Sequence, residues 1–358
     1  MDTSTATKKY FTAQLTAWHA TENQRSLPWK SEKDPYKIWL SEIILQQTRA
    51  QQGLPYYLSF IEAFPNVKHM AAANDEQAFR LWQGLGYYNR CKNMLATARL
   101  ITNELGGKFP ASYDQLLQLK GIGPYTAAAI ASFAFSLPHA VVDGNVNRVL
   151  ARYFGIDTPF DTTGGKKIFA TLAQELLDVK NSAAYNQAIM DLGATVCTPR
   201  NPLCNECPLQ KKCTAFHHGL IDILPVRSKK QSVRTRHFNY LLLKWNDRIW
   251  IHKRTGSDIW ENLHEPFLIE TEEPLDVNKL VAHPVFKELH IPYNKVNEEG
   301  HSVQRLTHQL INARFFSINI TKKIDINSTN GMWLTTNELK KTAFPKTVVS
   351  FLENNLYF

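Results

Sequence analysis

No apolar run in this chain approaches the roughly 20 residues that a membrane-spanning helix requires; the longest, such as Ala127–Ala131, are a fraction of that. The opening residues, MDTSTATKKYFTAQ, have no apolar signal core, so an intracellular, cytoplasmic setting is expected rather than secretion. Cysteine is scarce, with five in 358 residues, and four of the five fall between positions 197 and 213 while Cys91 stands alone. A disulfide framework would spread its cysteines along a secreted chain, so the cluster points to a metal site in a reducing compartment. Acidic residues are in deficit, 32 against 41 lysines and arginines, which leaves a net charge of +9. That surplus favours an anionic partner, nucleic acid first among them. The composition, 44% hydrophobic and 20% charged, excludes disorder as the main state. At about 100–200 residues per domain the length suggests two domains.

Residues 1–217 read as mostly helical. Phe11, Leu15 and Trp18 recur at helical spacing, and Asp34-Pro35 marks a helix start, because Asp caps and Pro fits the first turn. Ile38, Leu40, Ile43 and Ile44 then form an apolar stripe. Further helices are expected over 89–105, with Asn89 as cap and Gly106-Gly107 as stop, over 112–119 with a Ser112/Gln115 capping box, and over 124–135, 145–154, 165–178 and 182–195. After residue 237 the period changes: Phe238–Lys244, Asn246-Asp247 and Arg248–Lys253 read as a β-hairpin, Arg305–Ile320 alternates again, and 344–356 fits a closing helix. A smaller α+β domain is therefore expected over 238–358. Residues 218–237, with Pro225, Arg227, Lys229, Lys230, Arg234 and Arg236, read as a basic linker.

Leu119-Lys-Gly-Ile-Gly-Pro-Tyr125 sits between two expected helices. Gly121 and Gly123 are free to take positive φ, which permits a tight turn and close backbone approach to a ligand. Pro124 opens the next helix, whose unpaired N–H groups suit a DNA phosphate; Lys120, Gly121 and Gly123 would then grip the backbone without reading sequence. About twenty residues on comes Val141-Val142-Asp143-Gly144-Asn145-Val146. The hairpin followed by this Asp resembles the helix-hairpin-helix, Gly/Pro-Asp superfamily of DNA glycosylases over about residues 8–217.

The four clustered cysteines are Cys197, Cys204, Cys207 and Cys213. Thiolates suit zinc and iron–sulfur clusters alike, but zinc ribbons pair two C-x2-C knuckles and only one is present. The spacing is similar to the [4Fe-4S] loop of the endonuclease III and MutY branch of the superfamily, and that resemblance implies a [4Fe-4S] cofactor.

Breaking an N-glycosidic bond passes through an oxocarbenium-like state, helped by protonation of the departing base and by negative charge near the sugar. Two carboxylates in different environments serve both needs. Asp143 is one; Glu42, set among Trp39, Ile43 and Leu45, is the other, because desolvation would keep its proton available. The stretch Leu27-Pro-Trp-Lys…Asp34-Pro-Tyr-Lys-Ile-Trp-Leu-Ser-Glu-Ile-Ile-Leu-Gln-Gln-Thr48 resembles the adenine DNA glycosylases of the MutY kind. That resemblance implies Glu42 as the acid that protonates a flipped adenine, Asp143 as stabiliser of the cationic sugar, Asn145 as its support and Tyr125 as part of the site. Bifunctional relatives carry Lys at the position of Tyr125; a phenol forms no Schiff base, so a monofunctional enzyme is implied. Residues matching Arg25, Leu27 and Trp29 line the adenine pocket, and Lys30 stands where many relatives carry Arg. Gln47, Thr48 and, in Gly84-Leu85-Gly-Tyr87, Leu85 and Tyr87 match residues that fill the gap left by the extruded base.

The family joins this module to a Nudix-like domain, for which residues 238–358 have the right size. No glycine-then-glutamate-rich Nudix box is found, and Leu275–Leu289 has too few carboxylates for metal-dependent nucleotide hydrolysis, so a lesion reader is expected. A Phe-Ser-His turn that touches the damaged base in relatives is matched by Leu306-Thr307-His308, where Leu replaces Phe and Thr keeps the hydroxyl; the resemblance implies Thr307 and His308 as lesion contacts. The partner implied is duplex DNA with adenine opposite 8-oxoguanine or guanine, met by a monomer. An endonuclease III-like glycosylase for oxidised pyrimidines and a non-catalytic DNA-binding protein are the alternatives; Tyr125, Glu42, Asp143 and Asn145 together speak against both.

Overall fold

A computed structural model of the chain describes residues 4–228, 233–324, 326, 331–355 and 357. Lys229 and Lys230 of the basic linker lie outside the described residues. Two compact units are present: Met1–Ala72 with Asn93–Lys229, and Ala73–Lys92 with Lys230–Phe358. Boundaries drawn from motifs along the chain do not see this division, because residues 73–92 join the second unit through contacts distant in sequence. Glu76 Oε1 accepts a hydrogen bond from the backbone N–H of Ala343 at 2.6 Å, and Lys92 Nζ pairs with Glu261 at 2.9 Å.

In chain order the helices up to the cysteine loop are α1 Thr5–Thr21, α2 Pro35–Leu45, α3 Ala50–Ala63, α4 Val67–Ala72, α5 Asp75–Leu81, α6 Asn89–Glu104, α7 Tyr113–Leu117 and α8 Pro124–Phe135. They continue with α9 Gly144–Phe154, α10 Thr163–Leu176, α11 Ser182–Thr195 and α12 Thr214–His217. Phe11, Leu15 and Trp18 of α1 are buried against Val149, Leu150 and Phe154 of α9, Phe169 of α10 and Leu192 of α11. At about 1.5–3 kcal/mol per buried large apolar side chain, this cluster holds the helices together far more strongly than their propensities do.

The helix α2 starts as its sequence predicts: the Asp34 side chain accepts from the N–H of Tyr36 at 2.9 Å and Pro35 occupies the first turn. Its stripe, however, is no stripe. Every residue from Ile38 to Ile44 is buried, so α2 is a central helix wetted on no side, packed against the alanine-rich α8. The capping box expected at Ser112 and Gln115 does not form; Ser112 stands at the cap of α7 but its hydroxyl makes no capping hydrogen bond. In the hairpin Gly121 has φ 79°, and a Cβ there would stand 2.8 Å from Cβ of Asn93. Gly123 departs from expectation: it is extended, at φ −91°, because it is the cap of α8 rather than the tight corner.

The second unit is built on a mixed, seven-stranded sheet among the described residues: β1 Arg234–Trp245, β2 Arg248–Lys253, β3 His264–Glu265, β4 Phe267–Thr271, β5 Tyr293–Arg305, β6 Gln309–Ile320 and β7 Gly331–Thr335. The order is β3-β2-β1-β6-β5, with β4 on β1 and β7 on β2. The β1–β2 hairpin turns at Asn246-Asp247 as predicted, with Asn246 at φ 53°. β1 lies parallel to β6, Tyr240 opposite Phe315, and β6 runs antiparallel to β5. The alternating segment 305–320 is therefore the end of one strand, a turn and the next strand. Helices α13 Val277–Ala282, α14 Pro284–Glu288, α15 Thr336–Leu339 and α16 Lys346–Asn354 accompany the sheet. Among the described residues no helix is long and apolar enough to cross a membrane.

Candidate active site

In the helical unit a cleft of about 740 Å³ is lined by Arg25, Leu27, Trp29, Glu42, Gln47, Thr48, Tyr125, Asp143 and Asn145, among others. A second cavity of about 450 Å³ shares Glu42, Gln47, Tyr125 and Asp143 and opens past Gly123 and Pro124 of the hairpin. Residues from four separate stretches of chain are thus brought to one place. Lys120, Gly121 and Gly123 are exposed on the hairpin, as is Gln47, which takes φ 61° just after α2 ends.

Glu42 projects from the buried middle of α2 and is only 6% exposed. The Tyr125 hydroxyl, from the first turn of α8, donates to Glu42 Oε2 at 2.5 Å. Burial raises the Glu42 carboxyl to about 7; the Tyr125 hydrogen bond draws it down, and the nearby Asp143 charge pushes it up. Burial likewise raises the Tyr125 phenol, so it stays protonated and a donor.

Asp143 caps α9. One oxygen accepts from the backbone N–H of Val146 at 2.8 Å and the other from the Asn145 amide at 2.7 Å. Burial raises the Asp143 carboxyl, while those donors and the Arg148 charge pull it down. Asn145 in turn accepts from Arg148 Nη2 at 2.8 Å, and Arg148 donates to the carbonyls of Gly193 at 2.6 Å and Cys197 at 2.7 Å. The arrangement puts a carboxyl raised to about 7 and a carboxyl held by two hydrogen bonds on the walls of one cleft, which suits cleavage of a bond whose leaving group needs a proton and whose remainder becomes cationic.

Comparison with known proteins identifies the family. Residues 40–175 match the HhH-GPD superfamily of base excision DNA repair proteins, and residues 239–354 match the NUDIX domain. The adenine DNA glycosylase of Buchnera aphidicola subsp. Schizaphis graminum is 33% identical over 347 residues, covering 96% of this chain and 98% of that one. The chain belongs to the adenine DNA glycosylase family. The human adenine DNA glycosylase is 41% identical over 215 residues, 57% of this chain and 39% of that protein. Among solved structures, a thermostable thymine-DNA glycosylase matches with a TM-score of 0.56 at 29% identity, over 61% of this chain and all of that one. An endonuclease III–DNA complex matches with a TM-score of 0.53 at 17% identity over 61% of this chain and 98% of that chain, a likeness of fold. The protein is thus a DNA glycosylase, with a helix-hairpin-helix module followed by a Nudix-like domain.

The glycosylase gathers its four clustered cysteines as well. Cys197, Cys204, Cys207 and Cys213 all line one small cavity with Arg152, whose guanidinium lies 3.4 Å from Cys197 Sγ and donates to the Thr198 carbonyl at 2.8 Å. Among the described residues no group of three or more His, Cys, Asp or Glu side chains is arranged to hold a single metal ion.

In the second unit the Tyr87 hydroxyl and the Thr307 hydroxyl are hydrogen-bonded at 2.5 Å. Tyr87 is 47% exposed at φ 50°, and Thr307 and His308 are exposed in the turn between β5 and β6. Leu85 is buried.

Sequence reasoning did not find Arg148 or Asp191. Arg148 is 8% exposed and Asp191 has no exposed surface. The signal for Asp191 was available: Ala188, Ile189 and Leu192 form the buried face of α11, and a carboxylate set among them needs partners.

Proposed function

We propose that this glycosylase removes adenine mispaired with 8-oxoguanine or guanine in duplex DNA, as a monofunctional, monomeric base excision repair enzyme. The observation that carries the reading is the pairing of Glu42, buried and raised to about 7, with Asp143, held by two hydrogen bonds, on one cleft. Glu42 is the general acid on the departing base. Asp143 is the anion that steadies the sugar as its charge grows; Asn145 and the N-terminus of α9 keep that carboxylate aimed. The Asp143 charge favours a protonated Glu42, while the Val146 N–H and the Asn145 amide favour Asp143 as the anion. Tyr125 supplies no amine, so excision ends at an abasic site.

Support for the rest of the assignment is distributed along the chain. Arg25, Leu27 and Trp29 form the adenine end of the cleft. Lys120, Gly121 and Gly123 meet the DNA backbone, and Gln47, Thr48, Leu85 and Tyr87 serve the distorted base pair. Thr307 and His308 read the opposite base. Functionally, residues 1–217 are the catalytic module, 218–237 a basic linker and 238–358 the reader.

Cys197, Cys204, Cys207 and Cys213 fit a [4Fe-4S] cluster. They converge on one cavity beside Arg152, and cysteine thiolates are the ligand type such a cluster takes. When bound, the cluster ties the loop after α11 into a fixed shape. Absorption near 400 nm, with iron and sulfide in the purified protein, supports this; a colourless zinc protein overturns it.

The function is tested with labelled duplexes bearing A opposite 8-oxoG, A opposite G, A opposite T, and thymine glycol opposite A. Breaks should form only after alkali, and only in the first two. Breaks without alkali, or activity confined to thymine glycol, would refute the reading.

A further inference from the structure

Asp191 lies on α11 behind the cleft wall and is wholly buried. Its carboxylate nonetheless carries two cations. Arg25 Nη1 is 2.8 Å from Oδ1 and Lys30 Nζ is 2.5 Å from Oδ2. The Asn23 amide donates to Oδ2 at 2.7 Å and the Gln187 amide to Oδ1 at 3.1 Å. Lys30 Nζ also donates to the backbone carbonyl of Arg25. Arg25, Lys30 and Gln187 all line the cleft that holds Glu42.

A buried carboxylate is tolerated when it is paired and hydrogen-bonded, and here all four donors are supplied. Three of them come from residues 23–30, a stretch with no helix or strand of its own. Arg and Lys side chains have many rotamers, and without a fixed counter-ion they would wander in an open cleft. Asp191 removes that freedom. It also supplies a negative charge beside two positive ones, in a cleft where a further cation must develop on the sugar.

We propose that Asp191 is a positioning residue for base selection: it fixes Arg25 and Lys30 so that their remaining N–H groups meet acceptor ring nitrogens of the flipped purine, and it offsets their charge. Adenine presents an acceptor at N1, whereas hypoxanthine presents N1–H, a donor that fixed cations reject. The proposal rests on the adenine-excision reading.

The test compares wild type, Asp191→Asn, Asp191→Glu and Arg25→Met on duplexes with adenine or hypoxanthine opposite 8-oxoguanine. Single-turnover rates at saturating enzyme are read, with melting temperature as the folding control. Asp191→Asn should lower the adenine rate and cut the adenine-over-hypoxanthine preference by about tenfold or more. Asp191→Glu, which keeps the charge, should restore most of that preference. Arg25→Met should show the same loss, and the double variant with Asp191→Asn should lose little more, since the two act as one unit. An unchanged preference in folded Asp191→Asn, equal damage by Asn and Glu, or additive losses would overturn the proposal. Should Asp191→Asn not fold, Asp191→Glu and Arg25→Met decide: loss of the preference in Arg25→Met with most of it kept in Asp191→Glu supports the proposal, and a folded Asp191→Glu that loses it, or an Arg25→Met that keeps it, overturns it. Wild type that excises neither base overturns the adenine reading itself, and this inference with it.

Discussion

Asn145 occupies the place that a side chain on Gly193 would need. A Cβ at Gly193 would stand 2.7 Å from Cβ of Asn145 and 2.9 Å from its carbonyl oxygen. The N-terminus of α9, which carries Asp143 and Asn145, therefore lies directly against α11. Gly193→Ala should push Asn145 away and loosen its hydrogen bond to Asp143. A stability loss of about 1–3 kcal/mol is expected from overpacking. The single-turnover excision rate should fall at least about tenfold, because small misplacements of a charged group are costly. Thermal unfolding and rapid-quench kinetics on one preparation check both; full activity in Gly193→Ala would show that Asn145 does not set the position of Asp143.

The pH profile of excision follows from Glu42. On the proposed role of Glu42 its acid form is required, and its carboxyl is raised to about 7, so kcat/KM should decline as pH rises through that region. The Tyr125 hydrogen bond draws the carboxyl down. Tyr125→Phe should therefore move the alkaline limb to higher pH, even as it lowers the rate by disturbing the site. A limb that stays in place, or moves down, would mean that another group is being titrated.

Glu42→Gln separates catalysis from stability. Loss of a general acid should cost about 10²–10⁴ in rate, measured on adenine opposite 8-oxoguanine, with duplex affinity retained. Stability should move the other way. The folded chain holds the Glu42 proton up to about 7, against an ordinary value of 4.5. That contribution is full below pH 4.5 and is lost as pH rises through 7. Glutamine has no proton to lose, so at pH 8–9 the variant should be more stable than wild type by up to about 3 kcal/mol. Denaturant melts at pH 4 and pH 9 give the comparison; a variant less stable at pH 9 would count against a neutral, buried Glu42.

Asp143 caps α9 and is proposed to supply the charge that steadies the sugar; two substitutions tell these apart. Asp143→Asn keeps an oxygen for the Val146 N–H and should melt close to wild type, yet lose most excision for want of charge. Asp143→Ala loses the cap as well and should cost about 1 kcal/mol in addition. If Asp143→Asn remained active, negative charge near the sugar would not be part of the reaction.

Much of the site was legible along the chain because it is local. Asp34-Pro35 had to start a helix, and Gly121 had to turn one back. Asp143 and Asn145 are two residues apart, so the support that the family resemblance implied lies within one local segment. The β1–β2 turn at Asn246-Asp247 is of the same kind. What failed also failed locally: Ser112 had the right spacing for a capping box, but its hydroxyl makes no such bond, and Gly123 took the extended conformation that a helix cap favours.

The sequence by itself determined the residue types of the chemistry: two carboxylates, a phenol in place of an amine, and four clustered thiols. These are matters of composition and spacing. Only the tertiary structure decided that every residue from Ile38 to Ile44 is buried, which supplies the desolvation expected of Glu42 and raises its carboxyl to about 7. It alone placed Arg148 between Asn145 and Cys197, and Arg25 and Lys30 on Asp191. Desolvation and ion pairing depend on what approaches from elsewhere in the chain, and spacing along the sequence carries no record of that.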